Sequence, residues 1–226
     1  MNDSNTLKLE SVIRETGPNP QHAIVWLHGL GADGHDFEPI VPQLTTAAAR
    51  PVRFIFPHAP VRPVTINNGM AMRAWYDILG MQIDRDQDQA GIHASVAAVD
   101  ALLDEQIESG IPAANIVLAG FSQGGAIALR CGLARSAPLA GVMALSCYLL
   151  EGSRLGEWAH PASASVPIFI GHGSQDPVVP VALGDASASA LTGAGYPVRW
   201  LTWPMPHTVN LDEVRAIDQW LEEIWA

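Results

Sequence analysis

One run of residues joins an apolar stretch to a predicted helix: Ile116-Val117-Leu118-Ala119-Gly120-Phe121-Ser122-Gln123-Gly124-Gly125-Ala126. Its centre follows the pattern Gly-x-Ser-x-Gly, which between a strand and a helix is called a nucleophile elbow. Such a turn presents the serine hydroxyl at a helix N-terminus, where free N–H groups and the helix dipole stabilise negative charge. A side chain at residue 120 or 124 would collide with the neighbouring strand or helix, so both positions suit glycine. The run predicts a reactive Ser122; the alternative is an ordinary glycine-rich turn with a capping serine.

Length and composition favour one acidic domain. The chain has 226 residues, of which 48% are hydrophobic and 15% are charged. This length suits one large core, so we expect a single domain over residues 1–226, with residues 1–5 flexible. The net charge of −11 disfavours nucleic acid and anionic membrane surfaces as partners, because like charges repel. The chain contains neither an apolar signal core nor an apolar run of about 18 residues, so we expect a cytoplasmic protein without membrane insertion.

Predicted strands and helices alternate along the chain. Short apolar runs predict strands at 7–16, 23–27, 52–56, 116–121, 139–146, 166–171 and 198–203. Apolar residues at spacings of three and four predict helices at 37–49, 91–110, 123–135, 181–193 and 211–224. The alternation predicts an α/β fold with a mostly parallel central sheet and helices on both faces. The segment 147–165 is too short to hold a large lid domain.

The segment from His58 to Ala90 has no clear period, and a long irregular segment in a compact domain is usually functional. We therefore expect a flap across a substrate site, with Met70, Met72 and Trp75 as candidate substrate-binding residues; Tyr76 lies in the same segment. Flexible methionine side chains adapt to different ligands. The alternative is that these residues provide ordinary core and loop packing.

A serine hydroxyl needs a base within hydrogen-bond reach. In open parallel sheets the reacting groups lie beyond the C-terminal ends of strands, and His28, His58, His172 and His207 occupy such positions. His207 lies between the last strand and the last helix, so we predict that it is the base. Asp176 follows the preceding strand and is the predicted carboxylate that orients the imidazole. The alternatives are a polar loop histidine and a turn aspartate, but the order serine, aspartate, histidine is that of α/β-hydrolases.

An oxyanion hole needs two backbone N–H groups that point at one oxygen. The residue after the nucleophile supplies one of them, which here is Gln123. The second is expected from the glycine-containing loop after an early strand, and Leu30 is our candidate. His28 in that loop is expected to be a structural hydrogen-bonding residue. No pair of histidines has the spacing of a metal site, and Cys131 and Cys147 are expected to be reduced and buried, so we expect no metal.

Further short motifs run across nearly the whole chain: Trp26-Leu27-His28-Gly29-Leu30-Gly31-Ala32-Asp33, Pro57-His58-Ala59-Pro60, Arg62-Pro63-Val64-Thr65, Ala74-Trp75-Tyr76-Asp77-Ile78, Ala119-Gly120-Phe121-Ser122-Gln123-Gly124-Gly125, Ala144-Leu145-Ser146, His172-Gly173-Ser174-Gln175-Asp176 and Pro204-Met205-Pro206-His207. In this order they resemble the bacterial carboxylesterase and acyl-protein thioesterase family, also described as phospholipase/carboxylesterase. The resemblance implies an α/β-hydrolase without a large lid and a triad of Ser122, Asp176 and His207. It also implies oxyanion donors at Leu30 and Gln123, and ester or thioester hydrolysis without a cofactor. Pro206 departs from the family pattern, in which glycine often precedes the histidine.

The expected function is that of a serine carboxylesterase, which hydrolyses short to medium acyl esters through an acyl-enzyme. An acyl-protein thioesterase or a lysophospholipase shares this chemistry and differs in the depth of its acyl pocket. A non-catalytic binding protein with the hydrolase fold is the alternative from another class, although such a protein usually lacks part of the triad. The expected partner is a small-molecule acyl ester or thioester, and the chain is a candidate homodimer.

Overall fold

The computed structural model describes residues 7–80 and 87–226, so the expected flexibility of residues 1–5 lies outside the described residues. Within these ranges the strands are β1 (Ser11–Glu15), β2 (His22–Leu27), β3 (Val52–Pro57), β4 (Val61–Val64), β5 (Met70–Arg73), β6 (Ile116–Phe121), β7 (Gly141–Leu145), β8 (Ile168–Gly173) and β9 (Val198–Trp203). The α-helices are α1 (Thr45–Ala48), α2 (Gln89–Glu108), α3 (Gln123–Gly132), α4 (Leu155–Trp158), α5 (Val181–Gly193) and α6 (Leu211–Ile224). No helix in these two ranges combines the length and the hydropathy needed to cross a bilayer.

Seven of the nine described strands form one sheet in the order β1-β3-β2-β6-β7-β8-β9, and β4 and β5 form a separate pair. In the seven-stranded sheet only the edge strand β1 is antiparallel to its neighbour, and the remaining pairs are parallel. Parallel strands place their C-terminal ends at one edge, so the loops after β2, β6, β8 and β9 meet there. The predicted mostly parallel sheet is therefore confirmed.

Apolar side chains cover both faces of this sheet. Along β2, Val25 points into one cluster, which includes residues of α2, α3 and α5. Its neighbours Ile24 and Trp26 point into a second cluster, which includes residues of α1 and α6. Because alternate residues of a strand face opposite sides, an uninterrupted apolar run can fill both clusters. The predicted placement of helices on both faces is confirmed.

The helix predicted at 37–49 is wrong. The segment forms a 3₁₀ helix at Glu38–Gln43 and then the single turn α1. Pro39 and Pro42 explain the difference, because proline has no N–H to donate and its ring clashes with the preceding turn. The apolar spacing was genuine, since Ile40 and Leu44 are both buried.

The irregular segment after His58 contains an ordered hairpin. β4 and β5 pair antiparallel, and a 3₁₀ turn at Thr65–Asn67 lies between them. The hairpin is anchored at its base, where Gly31 N–H donates to Arg73 O at 2.9 Å. Part of the predicted flap, residues 81–86, lies outside the described residues. Because Gly31 and Arg73 are hydrogen-bonded, the hairpin packs beside the loop that follows β2.

Candidate active site

The turn after β6 has the geometry of a nucleophile elbow. Ser122 has φ 54° and ψ −121°, a conformation that non-glycine residues rarely adopt. A side-chain carbon at Gly120 would overlap the backbone of Gly124, and one at Gly124 would lie 2.5 Å from the carbonyl oxygens of Leu27 and His28. The close approach that glycine permits lets α3 start directly above the sheet edge. Ser122 N–H donates to Leu145 O at 2.8 Å, which ties the turn to the neighbouring strand β7.

Asp176 and His207 come together at the same edge. His207 Nδ1 donates to Asp176 Oδ2 at 2.6 Å. The other oxygen, Oδ1, accepts hydrogen bonds from Val178 N–H at 2.8 Å and Val179 N–H at 2.9 Å. The carboxylate is fully buried, whereas 16% of the His207 side chain is exposed. A carboxylate held in this way fixes the imidazole tautomer with the proton on Nδ1, so Nε2 is the nitrogen able to accept a proton.

The elbow lies against the His207 ring. The ring centroids of Phe121 and His207 are 4.7 Å apart, and Ser122 is the next residue after Phe121. The structure therefore brings the loops of Ser122, Asp176 and His207, which the sequence separates widely, to one edge of the sheet.

The loop after β2 approaches the elbow from the other side. A side-chain carbon on Gly29 would lie 3.5 Å from Ser122 Cβ, so Leu30 follows a residue in contact with the elbow. Among residues 7–80 and 87–226, no hydrogen bond engages the Leu30 N–H group. The Gln123 N–H belongs to the first residue of α3, and an N–H there has no acceptor within its own helix. Two backbone donors thus lie close to the elbow without an acceptor in the described fold.

The other histidines at strand ends have structural contacts. His28 Nδ1 donates to Gly29 O at 2.7 Å, and Nε2 accepts from Ala59 N–H at 3.0 Å. Burial lowers the pKa of His28 to about 4, so the ring is neutral near pH 7. His172 is buried and donates from Nε2 to Val179 O at 2.9 Å, and burial also lowers its pKa. His58 Nδ1 accepts from Gly34 N–H at 3.0 Å.

The Gln123 side chain has a role that the sequence did not indicate. Its Oε1 accepts from Trp75 N–H at 2.8 Å, and its Nε2 donates to Tyr76 O at 2.7 Å. The side chain is buried, so both bonds are shielded from water. Gln123 therefore fastens the segment after β5 to the first turn of α3.

An apolar groove of about 590 Å³ opens beside Ser122. Its walls come from the loop after β2, the 3₁₀ turn of the hairpin, the segment after β5, the loop after β7 and the segment that leads into α5. The apolar lining residues include Leu30, Ile66, Ile78, Pro177, Val178, Val179, Pro180, Ala182 and Leu183, and the polar ones include Asn67, Tyr76, Gln123 and Tyr148. This volume and lining are typical of a site for a small, largely apolar ligand.

None of the three predicted substrate-binding residues, Met70, Met72 and Trp75, lines this groove, and their role in substrate binding stays a prediction. Met70 is 64% exposed on β5. Met72 contacts the lining residue Asn67, whose Nδ2 donates to the Met72 sulfur at 3.3 Å. Trp75 is fully buried, and its Nε1 donates to His28 O at 2.9 Å, so it supports the loop after β2.

Other groove residues lay in segments that the sequence analysis did not assign to a substrate site. The apolar run Pro177-Val178-Val179-Pro180 directly follows Asp176, and a run of this kind beside a predicted catalytic residue is a usable signal. Tyr148 carries no such signal, because it follows β7 by three residues in a segment without a motif role. In the part of the chain that the structure describes, no group of three or more His, Cys, Asp or Glu side chains is arranged to hold a metal ion.

Comparison with known proteins identifies the family. The profile of the Phospholipase/Carboxylesterase family matches residues 9–225. An acyl-protein thioesterase 1 of Neurospora crassa is 41% identical over 209 residues, which cover 88% of this chain and 85% of that protein. A protein of the same name from Gibberella zeae is 40% identical over 205 residues, which cover 85% of this chain and 87% of that protein.

Solved structures agree with this assignment. The crystal structure of Arabidopsis thaliana SOBER1 has a TM-score of 0.84 and 30% sequence identity over 91% of this chain and 99% of that chain. Zea mays acyl-protein thioesterase 2 has a TM-score of 0.83 and 27% identity over 96% of this chain and 99% of that chain. The chain therefore belongs to the phospholipase/carboxylesterase family of α/β-hydrolases and is an esterase or thioesterase.

Proposed function

We propose that this protein is a serine carboxylesterase that hydrolyses short to medium acyl esters through an acyl-enzyme on Ser122. One observation carries the proposal: Ser122, at a strained elbow, lines an apolar groove at the sheet edge where His207 is hydrogen-bonded to Asp176. The acyl group of an ester has an apolar chain and a polar carbonyl. The apolar lining of the groove suits the chain, and the polar residues Ser122 and Gln123 suit the carbonyl.

The proposed reaction has two halves. Ser122 Oγ attacks the carbonyl carbon while His207 Nε2 takes the hydroxyl proton, and the imidazolium then gives that proton to the leaving alcohol or thiol. Water next loses a proton to the same nitrogen and attacks the acyl-enzyme. The imidazolium returns that proton to Ser122 Oγ as the bond between the acyl group and Oγ breaks, and the acid is released. Asp176 keeps the Nδ1 proton in place and stabilises the imidazolium. Water is the only co-reactant of this sequence.

The oxyanion formed in each half needs donors that are in place before the reaction. We assign the Leu30 and Gln123 N–H groups to this task. Their support is the contact between the loop after β2 and the elbow, together with the absence of an acceptor for the Leu30 N–H among the described residues. Preorganised donors of this kind are usually the largest single contribution to such catalysis.

The test is an acyl-length series. p-Nitrophenyl esters from acetyl to palmitoyl are assayed beside an acyl-CoA and an S-acylated peptide, with Ser122→Ala as the control. We expect the highest kcat/KM on butyryl to octanoyl esters, and labelling of the wild type, but not of Ser122→Ala, by a fluorophosphonate probe. A protein that neither hydrolyses an ester or thioester nor reacts with the probe would be the non-catalytic binding protein instead.

An acyl-protein thioesterase is the second candidate, and it is favoured by relatives of that name at 40 and 41% identity. It would hydrolyse the S-acylated peptide with a higher kcat/KM than any p-nitrophenyl ester. A lysophospholipase would instead prefer a lysophosphatidylcholine. The same assay therefore separates the three activities.

We also propose a cytoplasmic location. It is supported by Cys131 and Cys147, which are both free and buried, as is usual in reducing compartments. The homodimer stays a prediction, and size-exclusion chromatography with light scattering tests it.

A further inference from the structure

Two cavities meet at one pair of side chains. The groove beside Ser122 and a smaller cleft of about 160 Å³ share two lining residues, Tyr148 and Leu183. The remaining lining of the cleft consists of Leu149, Gly152, Ala186, Ser187 and Ala190. Because no other described residue lines both the groove and the cleft, the two cavities adjoin at Tyr148 and Leu183.

Tyr148 is held in place by a hydrogen bond across the groove. Its hydroxyl lies 2.9 Å from the hydroxyl of Tyr76, and both tyrosines are buried. Tyr76 is itself fixed, because its carbonyl oxygen accepts from the Gln123 side chain. The ring of Tyr148 is therefore tied to the first turn of α3, one residue after Ser122.

Leu183 is tied to the same loop from the other side. Leu149 N–H donates to Ser187 Oγ at 2.8 Å, and Ser187 Oγ donates to Leu183 O at 2.6 Å. One serine therefore connects the loop after β7 to the first turns of α5. The backbones that carry Tyr148 and Leu183 cannot move apart without breaking this link.

We propose that Tyr148 and Leu183 form the end wall of the acyl groove and set the longest acyl chain that the enzyme accepts. The inference rests on the proposed function, because it requires an acyl group bound from Ser122. A chain that extends along the apolar lining stops at the two side chains. The cleft behind them, with Leu149, Ala186 and Ala190 in its lining, becomes a binding site for the acyl tail once the wall is removed.

The experiment measures kcat/KM for acetyl, butyryl, octanoyl and palmitoyl p-nitrophenyl esters in five variants. Leu183→Ala and Tyr148→Ala remove the wall, and Leu183→Phe thickens it. Tyr148→Phe keeps the ring as a matched control. Ile13→Ala is the general control, since Ile13 is 52% exposed on the edge strand β1.

Each methylene that becomes buried raises kcat/KM by about fourfold. We therefore expect the ratio of palmitoyl to octanoyl kcat/KM to rise by about tenfold or more in Leu183→Ala and Tyr148→Ala. The ratio should change by less than about threefold in Tyr148→Phe and stay unchanged in Ile13→Ala. Leu183→Phe should lower the ratio of octanoyl to butyryl kcat/KM by about tenfold, and this variant leaves no cavity that could unfold the protein.

The proposal would be overturned if both alanine variants kept the wild-type ratio of palmitoyl to octanoyl kcat/KM. It would also be overturned if kcat/KM fell by the same factor at every chain length. If the alanine variants do not fold, as judged by circular dichroism, an unchanged profile in Leu183→Phe overturns it instead. These results differ from failure of the proposed function, in which the wild type itself hydrolyses no ester or thioester and is not labelled by a fluorophosphonate.

Discussion

His207 and His28 follow parallel strands at the same edge of the sheet, yet their surroundings differ. His28 is 1% exposed and uses both ring nitrogens, one on Gly29 O and one on the Ala59 N–H. His207 uses Nδ1 on Asp176, and its partly exposed ring lies against the elbow. A histidine with two backbone partners supports the loop that carries it, whereas one with a single carboxylate partner keeps a nitrogen for proton transfer. Position at a strand end does not distinguish the two roles; hydrogen bonding does.

The largest expected effect follows removal of the proposed nucleophile and the proposed base. Ser122→Ala and His207→Ala should each lower kcat by about 10⁴- to 10⁶-fold, because nucleophile and base act as one unit. Their midpoints of thermal unfolding should stay within a few degrees of the wild type. Steady-state kinetics with a butyryl ester and a thermal melt measure the two quantities. His28→Ala is the comparison, and a kcat loss of the same size in it without a change in stability would break the distinction between the histidines.

The second prediction concerns Asp176, the carboxylate that is hydrogen-bonded to His207 and not to His28. Asp176→Asn should lower kcat by about 10⁴-fold, since an amide donor favours the wrong imidazole tautomer. Oδ1 of the asparagine still accepts from the Val178 and Val179 N–H groups, so the loop should keep its conformation. A pre-steady-state measurement of acyl-enzyme formation checks the expected loss of rate. Near-full activity in Asp176→Asn would assign the orienting carboxylate elsewhere.

The third prediction concerns Gln123, whose backbone is assigned to the oxyanion and whose side chain supports the fold. Gln123→Ala leaves the Trp75 N–H and the Tyr76 carbonyl without their partners, which should lower the free energy of unfolding by about 2–5 kcal/mol. Gln123→Glu is the matched variant, because it keeps the acceptor for Trp75 and loses the donor to Tyr76. Urea unfolding at pH 7 should rank the wild type above both variants, because Gln123→Glu places a buried carboxylate against the Tyr76 carbonyl oxygen. Equal stability of all three would mean that the side chain does not fasten the segment after β5.

The fourth prediction tests the neutral state of His28 through pH. Its folded-state pKa of about 4 lies below the free value of 6.5. Between these values the unfolded chain binds a proton at this residue and the folded protein does not. The stability that His28 contributes is therefore complete above pH 6.5 and falls by about 3 kcal/mol as the pH drops to 4.

Urea unfolding at pH 7, 5.5 and 4.5 in the wild type and in His28→Gln isolates this contribution. The variant should be less stable at pH 7 and lose less stability on acidification. Parallel curves for the two proteins would show that His28 binds a proton as readily in the folded protein as in the unfolded chain.

The smallest expected effect belongs to the methionines. Met72 contacts the groove residue Asn67, so Met72→Ala should shift the ratio of octanoyl to acetyl kcat/KM by no more than the value of one methylene, about fourfold. Met70 is exposed outside the lining, so Met70→Ala should leave the ratio unchanged. The acyl-length series measures both. A larger shift in Met70→Ala would indicate that the hairpin closes over the substrate.

Most elements were predictable because strand and helix periods are local properties. α5 and β9 have the predicted bounds, Val181–Gly193 and Val198–Trp203. The helix predicted at 37–49 does not form, although the segment has the apolar spacing of a helix. Its two prolines lack the backbone N–H groups that a continuous α-helix needs. The groove lining was harder to predict because it comes from short irregular segments, where no period indicates which side chain faces inward.

By itself the sequence determined the elbow, the order of strands and helices, and the loops that carry Ser122, Asp176 and His207, since each depends on neighbouring residues in the chain. Only the tertiary structure decided which histidine bonds to the carboxylate, which side chain of the segment after β5 reaches the groove, and where that groove ends. Those outcomes depend on contacts between residues that are far apart in the chain, such as Tyr76 with Tyr148 and Gln123 with Trp75. These hydrogen bonds join loops that the parallel sheet places at one edge, so no local pattern in the chain indicates them.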